Sequence, residues 1–175
     1  MNQNLTFLQI YIFRNPKTLL TLFSSLVRSN LEYGSLLWSS SSIVFCDKVE
    51  RMQRNFLRFL DFYQSDCSYY DLCKKFNVDT LHLRRMVSSI MFCFDVITSK
   101  IDCSAILSQI NFNCASRSLH FNEFLRSIRH VTNYAMSEPI NVIMYDFNLV
   151  SDLFDFGLDR NQFEQLVKIR LKELL

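Results

Sequence analysis

The amino-acid sequence predicts an all-α protein, an irregular helical bundle of about five to seven helices with one loop-rich segment. Two observations predict it. Glycine and proline number only two each among 175 residues, against roughly 12% combined in an average protein, so the frequent turn signals that sandwiches, barrels and doubly wound sheets require are missing. Apolar residues recur instead at spacings of three and four, the period of a helix face, and the joints between such stretches are rich in Ser, Asn and Asp. A chain of this length, 49% apolar, is expected to bury one hydrophobic core carrying extensions rather than two ample domains.

Asn15-Pro16 reads as a helix start: Asn caps free amides, and proline at the first helical position loses no needed hydrogen bond. Leu19, Leu22, Phe23, Leu26 and Val27 follow at helical spacing, and this helix is expected to reach about Leu37, before the serines at 39–42. Asp47 with Glu50 three residues on resembles a capping box, so a second helix is expected over 47–61, with Val49, Met52, Phe56, Phe59 and Leu60 as its core stripe. Its other side carries Lys48, Arg51, Arg54 and Arg58, interrupted by Glu50 as a partner for Arg54.

Ser68 with Asp71 starts a short helix to about Lys75, and Thr80 caps a longer one whose apolar face runs from Leu83 to Ile97. Arg84 and Arg85 lie in its first turns. Positive charge there opposes the helix dipole, which points to a task or an acidic partner for them. From Asn111 to Ser137 no period lasts two turns, so this is the loop-rich segment. Glu138-Pro139 resets the chain, Ile140 to Val150 is helical again, and Asp159 opens a final helix with Phe163, Leu166, Val167, Leu171 and Leu174 on one side. The expected division is a helical region over residues 1–110, and a loop-rich segment with C-terminal helices over 111–175 packed on it.

Much chemistry is excluded by what the sequence lacks. With glycine only at positions 34 and 157 there is no Gly-rich phosphate loop. Cys46, Cys67, Cys73, Cys93, Cys103 and Cys114 have no metal-site spacing to one another or to His82, His120 and His130, and sit among apolar neighbours like small core residues. No metal, cofactor or small-molecule substrate is expected. Asp152 and Asp155 could share a helical face, but two-metal chemistry needs carboxylates on a rigid strand-turn scaffold, and no strand-like alternation surrounds them. No uncharged run reaches the ~18–20 residues that cross a bilayer, and no basic n-region precedes the first apolar stretch, so a soluble intracellular protein in a reduced compartment is expected. A net charge of +2 demands no polyanionic partner, so a nucleic-acid signal has to be local.

Three stretches in order carry a resemblance: Leu22-Phe23-Ser24-Ser25-Leu26-Val27-Arg28-Ser29-Asn30-Leu31-Glu32-Tyr33-Gly34-Ser35-Leu36-Leu37-Trp38, then Val49-Glu50-Arg51-Met52-Gln53-Arg54-Asn55-Phe56-Leu57-Arg58-Phe59, then Thr132-Asn133-Tyr134 with Glu138-Pro139-Ile140. Together they resemble the region downstream of the catalytic palm in jockey-like non-LTR retrotransposon reverse transcriptases, over roughly residues 14 to 165. The resemblance implies an isolated, thumb-side fragment whose helices lie beside primer and template. The family's Tyr-Ala-Asp-Asp-type metal site has no counterpart, so no catalytic residue and no enzyme activity are expected. Arg51, Arg54 and Arg58 match the family's basic helix. Where relatives often have a proline-containing loop after the first motif, this chain has Ser39 to Ser42.

Two functional expectations follow. In one, Lys48, Arg51, Arg54 and Arg58, with Arg84 and Arg85, contact the backbone of RNA or an RNA–DNA hybrid weakly and without sequence preference; counted as charges alone, they are accounted for by a solvated helix face. In the other, the chain is an inert or domesticated helical remnant whose exposed apolar surface binds another protein.

Overall fold

The computed structural model describes residues 15–39, 43–61, 67–113, 123–126, 132 and 137–174. Those residues are mainly helical, and among them the one β-type pairing is an isolated antiparallel bridge between Phe112 and Leu125. The chain is all-α. In order the helices are α1 (Pro16–Leu22), a π-helical stretch (Phe23–Arg28), α2 (Ser29–Glu32), α3 (Ser35–Trp38), α4 (Ile43–Leu60), α5 (Tyr69–Phe76), α6 (Leu81–Ile97), α7 (Ser104–Leu107), α8 (Pro139–Asn148), a 3-10 turn (Ser151–Leu153) and α9 (Arg160–Leu174). No helix among the described residues is long and apolar enough to cross a membrane.

The start signals act as read. Asn15 accepts from the Lys17 amide, Ser68 from that of Asp71 and Thr80 from that of Leu83, each satisfying a donor with no partner inside the helix. Asp159 does the same for the Asn161 amide before α9. Asn77, at φ +52°, ends α5 in the left-handed conformation that closes helix C-termini.

Two boundaries and one whole helix differ from expectation. The first helix stops at Glu32 and does not reach Leu37: Gly34 takes φ +63°, a left-handed turn that restarts the chain as α3. Ahead of it, Ser29 and Asn30 side chains donate to the carbonyls of Ser25 and Leu26, competing for the α-helical ladder where the π-helical stretch runs. The second helix starts at Ile43, one turn before the box-like Asp47, which therefore sits inside α4 and not at its cap. Its buried stripe is Val49, Gln53, Leu57 and Leu60, while Met52 and Phe59 face solvent. α7 was not anticipated, having a single turn and no side-chain cap. Of the loop-rich segment, residues 114–122, 127–131 and 133–136 lie outside the described residues, as do Ser40 to Ser42 and two residues of the third resembling stretch, Asn133 and Tyr134.

The chain divides into two compact units. One comprises residues up to Tyr33 together with Arg51–Val78. Its core is Leu57, Leu60, Leu72 and Cys73, bordered by Leu19, Leu20 and Phe76, and Phe23 stacks on Phe56 at 4.0 Å between ring centroids. A buried Gln53 donates to the Tyr69 hydroxyl at 3.0 Å, and Lys75 pairs with the buried carboxylate of Asp61.

The other unit comprises Gly34–Glu50 and everything from Asp79 onward. Here α6 is the central element, with α3, α8 and α9 packed against it. Its core is aromatic: Phe94 stacks on Phe163 at 4.7 Å, and Phe147, Phe154 and Phe124 extend the cluster edge-on or tilted. Such rings bury large areas and gain further from offset geometry. Asn148 holds the loop-rich segment to this core, accepting from the Leu125 amide and donating to its carbonyl.

Candidate functional site

α4 carries the basic face. On a helix each residue advances 100°, so Lys48, Arg51 and Arg58 fall within a third of a turn of one another, opposite Val49, Gln53, Leu57 and Leu60. All three cations are exposed. Arg54 is turned toward Tyr69, its guanidinium 5.1 Å from the ring centroid and its Nε buried without a hydrogen-bond partner. Arg54 is thus held as a cation–π partner within its own unit.

The expected pairing of Glu50 with Arg54 gives way to a different arrangement. Glu50 extends to the start of α6, where its two carboxylate oxygens accept from the Leu81 and His82 amides at 3.0 and 3.1 Å. Negative charge at a helix N-terminus meets the free amides and the positive end of the dipole. The same carboxylate lies 3.6 Å from Arg85, which is 8% exposed and also stacks 5.7 Å from the Trp38 ring. The acidic partner implied by arginine in a first helical turn is therefore Glu50. Arg85 leaves the set of candidate phosphate contacts, because burial and this pairing occupy it.

Arg84 and Arg85 are not brought to one surface. Arg84 lines a hollow of about 370 Å³ beside Asp79 and Asp95, where Arg160 donates through Nε to both oxygens of Asp95. Asp79 is itself paired with Lys172 at 2.7 Å. The other acidic residues considered from sequence are engaged separately: Asp152 pairs with Arg170, and Asp155 accepts from the Gly157 amide. Among the described residues no cluster of His, Cys, Asp and Glu could hold a metal ion. Burial pushes the Cys93 thiol up to about 12, which keeps it an unreactive core group.

Sequence reasoning missed a second feature. An open cleft of about 640 Å³ is bounded by α6, α8 and the first turns of α4. Burial raises its Asp146 carboxyl to about 6, with Ser89 acting in the opposite direction. His82, at the same cleft, is lowered by burial and then by the Arg85 charge, with Glu50 acting against both. A signal for Asp146 existed: it lies three residues after Ile143 and four before Val150, on the edge of an otherwise apolar stripe.

The fold and these two features define a helical protein with an exposed cationic side on α4 and an open cleft beside Asp146. Comparison of the chain with protein-family models, curated proteins and solved structures finds no match.

Proposed function

We propose that this chain is a binding module, the thumb-side part of a jockey-like non-LTR retrotransposon reverse transcriptase, whose α4 contacts nucleic-acid backbone without reading sequence. The observation that carries this reading is the exposure of Lys48, Arg51 and Arg58 along one side of α4, free of the core stripe on the other. Phosphate contact needs accessible cations at roughly regular spacing and no particular base edge, and a helix face supplies them. Support also comes from the ordered resemblance of the first two sequence stretches, which brings Arg51 and Arg58 into the family's basic helix.

The test is binding of the purified chain to a labelled RNA–DNA hybrid across a salt series, beside a variant with Lys48, Arg51 and Arg58 changed to Gln. A log–log slope of about −2 to −3, flattened by the variant, is expected for three phosphate contacts. A folded chain that does not bind at low salt, or a variant that binds as the parent does, overturns the proposal.

A further inference from the structure

The cleft between α6, α8 and the start of α4 holds one buried carboxylate, Asp146, and one exposed carboxylate, Asp47, neither of them in an ion pair among the described residues. Asp146 is 9% exposed. Among the described residues no Lys, Arg or His pairs with it or with Asp47, which lines the same cleft. Glu50 is no substitute acceptor, being taken up by the α6 amides and Arg85. A carboxylate taken out of water without a cation is left short of the interactions it had there.

The rest of the lining mixes polar residues, Ser39, His82, Ser89 and the Glu50–Arg85 pair, with an apolar part that is partly open to water. Met86 and Val142 line it, and around them Ile43 is 82% exposed, Tyr145 62% and Leu149 37%. A phosphate-bearing partner would meet Asp47 and Asp146 as like charges. A small organic cation could satisfy a carboxylate and still leave Ile43 and Tyr145 in water. The charge and the apolar surface are matched together by a helix that places apolar residues three and four apart and a Lys or Arg between them, the basic head reaching the carboxylates along an aliphatic stem.

We propose that this cleft is a docking groove for a basic amphipathic helical segment of another protein, with Asp146 and Asp47 receiving its cation and Ile43, Tyr145 and Leu149 its apolar face. This goes beyond the nucleic-acid reading and is independent of the basic side of α4.

The test uses the full chain and two labelled amphipathic helical peptides, one of leucine and lysine, the other with glutamate replacing each lysine. The lysine peptide is expected to bind and the glutamate peptide to bind at least about tenfold more weakly. The double variant Asp47→Asn, Asp146→Asn should weaken the lysine peptide by about tenfold or more. Asparagine preserves shape, and circular dichroism confirms the fold. Asp102→Asn with Glu173→Gln, which removes as much charge away from the cleft lining, should leave binding unchanged. Equal binding of the two peptides, absence of binding by the folded chain, or equal loss in both double variants overturns the proposal. So does dimerisation of the chain that the Asp47, Asp146 variant abolishes, which would assign the groove to a second copy.

Discussion

Glu50 and Arg85 lie 3.6 Å apart with side-chain exposures of 14% and 8%, at the point where Glu50 also accepts the first two amides of α6. One carboxylate thus performs three tasks: it neutralises a buried guanidinium, caps a helix and ties the first turns of α4 to α6 within one unit. Removing it leaves Arg85 charged and buried beside two free amides. Glu50→Ala is expected to cost about 3 kcal/mol of stability, the usual scale for breaking a buried pair from one side. Glu50→Gln should cost less, since an amide oxygen still accepts a hydrogen bond. Denaturant midpoints of the purified variants measure both, and a loss below about 1 kcal/mol would mean that solvent relieves Arg85.

Asp146 yields a prediction with a definite sign. Its folded value is raised to about 6 from an ordinary 3.8 by burial, so the folded chain favours the protonated form. Well below pH 3.8 the group is neutral folded and unfolded and costs nothing. As pH rises from about 4 to 6 the unfolded state loses its proton first, and stability falls; above 6 the cost is constant. Asp146→Asn removes this dependence. The variant and parent should be nearly equal well below pH 3.8 and differ by up to about 3 kcal/mol in favour of the variant at pH 7, read from urea unfolding at a series of pH values. A difference that stays flat across that range would show Asp146 to be solvated.

Arg54 and Arg58 are both arginines on α4, and the structure separates them. Arg54 lies over Tyr69, and Arg58 is exposed. Arg54→Gln is expected to cost about 1 kcal/mol through loss of the ring contact, whereas Arg58→Gln should change stability by less than about 0.5 kcal/mol. In the hybrid-binding assay the order reverses: Arg58→Gln should reduce the salt slope by about one, Arg54→Gln by much less. Equal effects in either assay would count against this division of labour.

The helical class was decided by sequence, because near-absence of glycine and proline together with a period near 3.6 leaves few other ways to bury a half-apolar chain. So were most helix starts, since Asn15, Ser68, Thr80 and Asp159 act on amides two or three residues away. The start of α4 escaped because Asp47 with Glu50 offers a box-like start signal one turn further along the chain. The basic line on α4 was also legible as spacing. Which of its members remain available was not, because that depends on what packs around each: Tyr69 takes up Arg54, fifteen residues along the chain, and Glu50 takes up Arg85, thirty-five residues along. Asp146 beside Ser89 and the cleft with Asp47 came from tertiary structure alone. Helical periodicity reports which face of an element is buried, whereas partners distant in sequence are chosen by packing, and packing determines where a charge ends without its counterpart.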